Sequence, residues 1–223
     1  MDERKTIIWT HEPWAAEESG RTRRRLDALS RRPGVRLLFT TRTDRVLSDL
    51  DLLTLIAQNG DVVATVALPG LEELLARRLE PGGVSPQRRL AVVRELAKAG
   101  IRTGVALDPI LPGINDRLGS IRRVVRAARA AGATFFSARV LRIERALRTT
   151  FFAFLRKHRP DLIRRYHRRY GAGRRPPRDY EERVLAMVEA LRAEFRLDAG
   201  PGPTTRTDPQ LALPFGVSAV IVG

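Results

Sequence analysis

The sequence predicts an α/β fold: an open, parallel, partial (β/α) barrel of about five strands, TIM-like in type, followed by C-terminal helices. Three observations predict it. Five short apolar segments alternate with helical patterns, the connections between them are short, and the last helical patterns follow one another without a strand. We expect residues 1–145 to form the partial barrel, residues 146–197 a basic helical extension packed on it, and residues 198–223 a Gly/Pro-rich tail.

Each predicted strand is a short apolar run bounded by turn or helix-stop signals. The third strand is apolar on both faces except at Thr65, which is typical of a parallel strand covered on both sides. Gly100 and Gly132 stop the helices that precede the last two strands. The predicted strands are residues 6–9, 35–39, 62–68, 101–107 and 134–141.

Capping signals mark several of the predicted helices. Ser48 and Ser85 are expected to be N-caps, and Pro86 suits a first helical turn because its φ is fixed and it lacks an N–H. Asn59-Gly60 stops the helix that follows Ser48. The predicted helices lie at about residues 15–30, 48–58, 71–79, 85–99, 118–131, 146–158, 160–170 and 180–195.

The composition excludes several classes of function. A hydrophobic fraction of 43% suits a globular protein. No apolar run approaches the roughly 18 residues that span a bilayer, so we expect a cytoplasmic protein without a membrane partner. The sequence contains no cysteine. This excludes disulfides, thiolate metal sites, cysteine nucleophiles and cysteine-held iron–sulfur clusters within these residues.

The positive charge is concentrated in one part of the chain. The formal net charge is +16, and residues 139–178 hold fourteen basic residues against two acidic ones. Biased codon usage would spread arginine more evenly, so this concentration favours an anion-binding face. Arg164, Arg165, Arg168 and Arg169 recur at helical spacing and form one cationic stripe. The stripe predicts sequence-tolerant, salt-dependent nucleic-acid binding, and a solvated basic face without a partner is the alternative.

Polar side chains at the C-terminal ends of parallel barrel strands are the candidate site residues, because functional groups gather there. They are His11, Glu12, Thr41, Arg42, Asp108, Arg139 and Arg142. We interpret His11-Glu12 as an exposed loop pair and predict no metal site. Asp108 is expected to form a structural ion pair with Arg42 or Arg142, and Asn115-Asp116 to cap a helix. No catalytic residue is assigned.

Four separated motifs resemble a known family. They are LSDLDLL at 47–53, ARRLEP at 76–81, PILPGIND at 109–116 and VLR at 140–142. In this order they resemble the spore photoproduct lyase-like branch of the radical S-adenosylmethionine (radical SAM) enzymes. The resemblance covers about residues 7–195, and the five predicted strands match the second to sixth of the family's six.

The resemblance implies a chemistry that this sequence cannot start alone. Such enzymes hold a [4Fe–4S] cluster on three cysteines and cleave S-adenosylmethionine to a 5′-deoxyadenosyl radical, and DNA repair is the best-known activity of the branch. By resemblance, the residues expected to contact the cofactor are Thr41, Arg42, Asp108, Asn115 and Arg142. Several strand-end positions depart from the pattern: arginine replaces lysine at 42, hydroxyl residues are lost at 67 and 69–70, and Asp108 replaces an apolar or small residue.

Three functions follow as hypotheses. The first is a truncated or degenerate radical SAM domain, inactive as this chain alone. The second is a non-catalytic nucleic-acid-binding module that uses the arginine-rich helices. The third is one subunit of a split enzyme, partnered by a cysteine-bearing N-terminal subunit. The missing first strand also predicts an exposed sheet edge at Ile7, which segment 211–215 or 217–222 could cover.

Overall fold

The backbone forms one five-stranded parallel sheet, as a chain of short apolar runs separated by helices predicts. The computed structural model describes residues 5–9, 11–16 and 18–201. The strands lie in sequence order, so each βαβ unit places its second strand beside its first. They are β1 (Thr6–Ile8), β2 (Arg36–Thr41), β3 (Asp61–Leu68), β4 (Arg102–Ile110) and β5 (Phe135–Val140). The predicted fold class is confirmed.

Eight α-helices are described: α1 (Ser19–Ser30), α2 (Leu50–Asn59), α3 (Glu73–Leu79), α4 (Pro86–Lys98), α5 (Leu118–Ala130), α6 (Arg145–His158), α7 (Ile163–Tyr170) and α8 (Arg178–Phe195). Two 3₁₀ helices, Asp44–Asp49 and Pro160–Leu162, precede α2 and α7. One or two of the helices α1–α5 lie between each pair of successive strands, and α6–α8 form the extension. Within the described part of the chain, no helix is long and apolar enough to cross a membrane.

The two faces of the sheet have different neighbours, because successive strand residues point to opposite sides. On the convex face, Leu37, Val62 and Val105 pack in one core with side chains from the surrounding helices. On the concave face, Leu38, Val63 and Phe135 form a small separate cluster. Two residues beyond Leu38 and Val63, the register pairs Thr40 with Thr65 on the same face. The concave face therefore becomes polar towards the C-terminal ends of the strands.

The helical extension has its own aromatic core. Buried residues of α6 and α7 pack against the ends of α3, β4 and β5, and three phenylalanines lie among them. The members of this second core are Leu79, Leu111, Leu141, Ile143, Phe151, Phe152, Phe154, Leu155, Leu162, Tyr166 and Tyr170. Tyr170 also donates a hydrogen bond from its hydroxyl to the Leu141 carbonyl at 2.9 Å. The prediction that most aromatics of the basic segment are core residues is confirmed.

The two edges of the sheet differ. Among the described residues, β1 pairs with one strand only, β2. The outer edge of β5 receives the backbone of Asp198, whose N–H donates to Thr134 and whose carbonyl accepts from the Phe136 N–H. The predicted open edge at Ile7 is therefore present in the described structure. Segments 211–215 and 217–222, expected to cover it, lie outside the described residues.

Two capping predictions had different outcomes. Ser85 caps α4, where its hydroxyl accepts from the Arg88 N–H at 3.2 Å and Pro86 opens the helix. The Ser48 cap is wrong: its hydroxyl donates to the Arg45 carbonyl at 2.7 Å. The chain already turns helical at the 3₁₀ helix, where Thr43 is the capping residue. A local sequence signal could not separate a 3₁₀ turn from the α-helix that continues it.

Candidate functional site

A cavity of about 360 Å³ lies against the concave face of the sheet, near its strand ends. Asp108 lies at one side of it, only 2% exposed, and accepts from Arg139 Nε at 2.9 Å and from Arg139 Nη2. Hydroxyls of Thr40, Thr65 and Ser137 add to the polar lining. The cavity therefore presents an ion pair and three hydroxyls on one concave surface.

Helix α8 and the chain after it close this concave cavity. Glu189 and Arg192 of α8 line it, and they form an ion pair with each other. The ring of Phe135 lies across the sheet at the base, where a Cβ at Gly104 or Gly200 would clash with it. Both glycines thus permit the close packing that shapes the cavity.

A second cluster lies at the strand-end edge, where two arginines share one carboxylate. Arg42 Nη1 donates to Glu80 Oε1 at 2.7 Å, and Arg89 Nη2 donates to Glu80 Oε2. Arg89 also donates from Nη1 to the Ala67 carbonyl at 2.9 Å. The three side chains are 14%, 6% and 3% exposed in the order Arg42, Glu80 and Arg89, and line a cavity of about 460 Å³. We call this trio the mouth cluster.

The mouth cluster is not fully satisfied. Within the described residues, Arg42 Nε, Arg42 Nη2 and Arg89 Nε are buried without a hydrogen-bond partner. Buried guanidinium nitrogens without partners are costly. The single carboxylate of Glu80 is consequently the main compensation for two buried positive charges.

Glu12 lines the same cavity and is held by three donors. Its Oε1 accepts from the Thr41 hydroxyl at 2.8 Å and from the Trp14 N–H at 3.4 Å, and its Oε2 from the Arg42 N–H at 2.7 Å. Burial nevertheless raises the pKa of this carboxyl above its ordinary value, because desolvation outweighs the hydrogen bonds and the charge of Arg42. The neighbouring His11 is exposed. Glu12 is thus a half-buried acid of the mouth, separate from the exposed His11.

The structure does not bring the five predicted cofactor residues into one site. Thr41 and Arg42 lie beside Glu12 at the mouth, whereas Asp108 lies in the concave cavity. Asn115 is buried and its amide ties the strand-end loop together: its Oδ1 accepts from the Leu111 N–H at 2.6 Å, and its Nδ2 donates to the carbonyls of Pro69 and Pro109. Arg142 is half-buried just after β5.

Two interpretations of single residues need correction. Asn115 does not cap α5, whose N-cap is Arg117, because its amide is fully used inside the loop. The ion pair expected for Asp108 exists, but the structure pairs it with Arg139, while Arg42 contacts Glu80. Arg139 lies on β5, beside β4, and points to the same concave face as Asp108. Their contact depends on the register between the two strands, which the sequence of either strand alone does not reveal.

The predicted cationic stripe divides into two parts. Arg164, Arg165 and Arg168 are exposed on α7, and within the described residues none of them forms an ion pair. The fourth member, Arg169, is half-buried with its guanidinium carbon 3.9 Å from the centre of the Tyr180 ring. Three arginines therefore face solvent, and the fourth joins α7 to α8. We call the three the α7 arginines.

Sequence reasoning missed several residues that shape these sites. No local sequence pattern predicted the buried ion pair of Glu80 and Arg89, because Glu80 follows α3 and Arg89 lies in the first turns of α4. Glu189 and Arg192 belong to α8, whose position beside the concave face only the tertiary structure shows. The alternation along β2 could have identified Thr40, since it lies two residues from Leu38 on the same face.

Solved structures of spore photoproduct lyase mutants share this fold. One mutant superposes with a TM-score of 0.58 at 18% sequence identity, covering 78% of this chain and 52% of the lyase chain. A second mutant, solved with bound AdoMet and dinucleoside spore photoproduct, gives a TM-score of 0.57 at 20% identity over the same shares. At such identities the likeness shows a common fold.

Sequence relatives are longer than this chain. Uncharacterized proteins of Mycobacterium bovis and Mycobacterium tuberculosis are 31% identical over 172 residues, which is 76% of this chain and 51% of each relative. An uncharacterized protein of Acidianus two-tailed virus is 36% identical over 104 residues, 46% of this chain and 33% of that protein. The chain thus spans about half the length of the mycobacterial relatives. No protein-family model matches it.

The residues present do not fit a thiolate-held iron–sulfur cluster. Such a cluster needs cysteine ligands, and the sequence has none. Among the described residues, no group of three or more His, Cys, Asp or Glu side chains could hold a metal ion either. What these residues offer instead is a polar concave cavity, a half-buried acid at the mouth and exposed arginines on α7.

Proposed function

We propose that this chain is a nucleic-acid-binding segment with a spore photoproduct lyase-type barrel that does not generate a radical by itself. The observation that carries the proposal is the placement of the exposed arginines on α7. The arginines of the mouth cluster are compensated by Glu80, whereas the α7 arginines have no described ion-pair partner. Exposed positive charge clustered on one helix is the usual footprint of phosphate-backbone binding.

The α7 arginines also lie close to the barrel's strand-end loops. Arg159 Nη1, just before α7, donates to the Gly113 carbonyl in the loop between β4 and α5 at 3.4 Å. A Cβ at Gly113 would lie 3.3 Å from Arg165 Nη1. A strand of nucleic acid lying along α7 would therefore run past the edge of the sheet that carries the two cavities. The dinucleoside in one lyase structure supports a ligand of this class.

The binding is expected to be insensitive to base sequence. Guanidinium groups of exposed arginines pair with phosphate oxygens, which carry no base information. The aromatic rings of α6 and α7, which could otherwise stack on bases, are mostly buried in the second core. Affinity should therefore follow charge and salt concentration.

Salt titration of binding tests this function. We compare the wild type with the triple variant R164Q/R165Q/R168Q, using duplex DNA, single-stranded DNA and RNA. The log–log slope of affinity against salt should flatten by roughly two to three units, at about 0.9 per phosphate on duplex and 0.7 on single strands. The matched control R25Q/R94Q/R126Q removes the same charge from exposed arginines of α1, α4 and α5. If the salt slope flattens equally in both variants, the α7 arginines are not a dedicated nucleic-acid-binding face.

Reconstitution tests the second half of the proposal. Protein incubated anaerobically with iron and sulfide should carry no [4Fe–4S] absorbance and should not cleave S-adenosylmethionine, because the sequence offers no thiolate. A stoichiometric cluster on this chain alone would contradict the proposal.

A second candidate function is that of one subunit in a split radical SAM enzyme. The open outer edge of β1 favours it, since an unpaired edge strand can accept another strand. In that case a cysteine-bearing polypeptide would supply the cluster and complete the barrel. Co-expression with such a polypeptide should yield a stable complex that carries the cluster, and two proteins that elute separately would exclude this function.

A further inference from the structure

An open cleft lies on the helical extension, away from both barrel cavities. It has a volume of about 740 Å³ and lies between the start of α6 and the linker that joins α7 to α8. Three of its six lining residues are arginines; the lining is Ile143, Arg145, Arg148, Ala172, Gly173 and Arg174. Nothing in the radical SAM resemblance assigns a role to this cleft.

Arg148 is held in a fixed position within the cleft. Its Nη1 donates to the Gly173 carbonyl at 3.2 Å, and its Nη2 donates to the Gly171 carbonyl. Its guanidinium carbon also lies 5.3 Å from the centre of the Phe152 ring. Gly171 has a φ of 50°, which a glycine adopts easily. This conformation ends α7 and directs the following chain past the guanidinium of Arg148. Because a guanidinium has five N–H donors, holding these two carbonyls leaves donors for a ligand.

The other two arginines complete a positive cleft. Arg174 Nη1 donates to Glu144 at 2.6 Å, and the Arg174 carbonyl accepts from the Ile143 N–H at 2.8 Å. Arg145 is exposed and forms no ion pair among the described residues. Three guanidinium groups thus line the cleft and Glu144 pairs with one of them, so the cleft keeps an excess of positive charge. An anion would neutralise this excess.

We propose that this cleft binds a phosphate group, either a phosphate of a nucleic acid or a free inorganic phosphate or pyrophosphate. Planar guanidinium groups match the oxygen geometry of phosphate, and three arginines line one open volume here. The cleft follows directly after the last turn of α7, so a nucleic acid on the α7 arginines would reach it. The nucleic-acid source rests on the proposed function, whereas the inorganic source does not.

Direct titration tests the cleft. We measure binding of pyrophosphate by calorimetry to the full chain and to R145Q/R174Q, which leaves Arg148 and its hold on the linker intact. The variant should bind at least about tenfold more weakly. The matched control R25Q/R94Q loses the same charge from exposed positions on α1 and α4 and should bind like the wild type. Circular dichroism and thermal unfolding confirm that all three proteins fold alike.

A second arm separates a nucleic-acid phosphate, in the backbone or at the 5′ end, from a free inorganic phosphate. Single-stranded oligonucleotides with and without a 5′-phosphate are titrated against the same three proteins. A lower affinity of R145Q/R174Q for both oligonucleotides assigns the cleft to backbone phosphates, and a loss confined to the phosphorylated one assigns it to a terminal phosphate. Unchanged oligonucleotide affinity together with weakened pyrophosphate binding assigns it to free inorganic phosphate.

The outcomes also separate this inference from the proposed function. If oligonucleotide binding depends on the α7 arginines, and R145Q/R174Q binds both oligonucleotides and pyrophosphate like the wild type, the cleft is rejected and the proposed function stands. If pyrophosphate binds in the cleft and no oligonucleotide binds at all, the cleft stands and the nucleic-acid function is rejected. Equal losses in R145Q/R174Q and R25Q/R94Q would overturn the cleft as a site.

Discussion

Arginine has opposite surroundings in two regions of this protein. In the mouth cluster, Arg42 and Arg89 are buried around Glu80 and part of their hydrogen-bonding capacity is unused. On the helical extension, Arg164 and Arg168 stand in solvent without a described ion pair. The same side chain therefore stabilises the sheet edge in one region and adds uncompensated charge in the other.

This difference separates structural charge from available charge. A buried pair of arginines on one carboxylate makes the sheet edge dependent on that carboxylate. An exposed arginine contributes little to folding and keeps its charge for a partner. The net charge of +16 alone could not distinguish these cases. The substitutions below test the distinction, from the largest expected effect to the smallest.

Removing the shared carboxylate should have the largest effect. Glu80→Gln removes the carboxylate that both guanidinium groups contact and is expected to lower the free energy of unfolding by about 3–5 kcal/mol. Urea denaturation measures the loss. As a control, Glu73→Gln removes the partner of Arg77 on the exposed face of α3 and should change stability by less than about 0.5 kcal/mol. Similar losses in both variants would show that the mouth cluster has no special dependence on Glu80.

The acid beside the mouth cluster should affect stability through pH. Burial raises the pKa of Glu12 in the folded protein. Between the ordinary and the raised pKa, Glu12 therefore keeps its proton in the folded protein but loses it in the unfolded chain. Its contribution to stability is therefore complete below the ordinary pKa of 4.5 and decreases as the pH rises through the raised value. Glu12→Gln does not titrate, so it should gain stability relative to the wild type as the pH rises across this window. Parallel curves of unfolding free energy against pH would contradict the burial effect.

Substitution of the half-buried Arg169 should have an intermediate effect on stability. Arg169→Gln removes the contact with the Tyr180 ring and should cost about 1 kcal/mol. Arg183 lies 5.6 Å from the same ring on the exposed side of α8, so Arg183→Gln should cost less. Thermal unfolding measures both. A smaller loss for Arg169→Gln than for Arg183→Gln would reject the role of Arg169 in joining α7 to α8.

The exposed arginines should have the smallest effect on folding. Arg164→Gln together with Arg168→Gln is expected to change the free energy of unfolding by less than about 0.5 kcal/mol. The same double variant should still flatten the salt dependence of nucleic-acid affinity. A large loss of stability would show that these side chains are structural, and the comparison between the two regions would then fail.

Much of the fold was predictable because its signals are local. Strand β3 is apolar except at Asp61 and Thr65, and α4 begins at Ser85-Pro86, so both elements follow from a few neighbouring residues. The order of five strands and five helices then limits the topology to a parallel sheet. The extension could also be predicted, since its phenylalanines recur at helical spacing.

The site was less predictable because its contacts join distant residues. Asn115 reads as a helix cap, yet its amide binds the Pro69 carbonyl from another loop. Asp108 meets Arg139 only because register places β4 and β5 side by side. The cleft at Arg148 depends on a turn after α7 that brings two carbonyls to one guanidinium. Long-range relations of this kind leave no periodic trace in the sequence.

The two edges of the sheet differ in how readily they could pair with an additional strand. At β5, the backbone of Asp198 already occupies hydrogen-bonding groups, so a new strand would have to displace it. At β1, the described structure leaves one full side of the backbone open. A designer who wished to enlarge this sheet, or to attach a second protein by strand addition, should therefore build outward from β1.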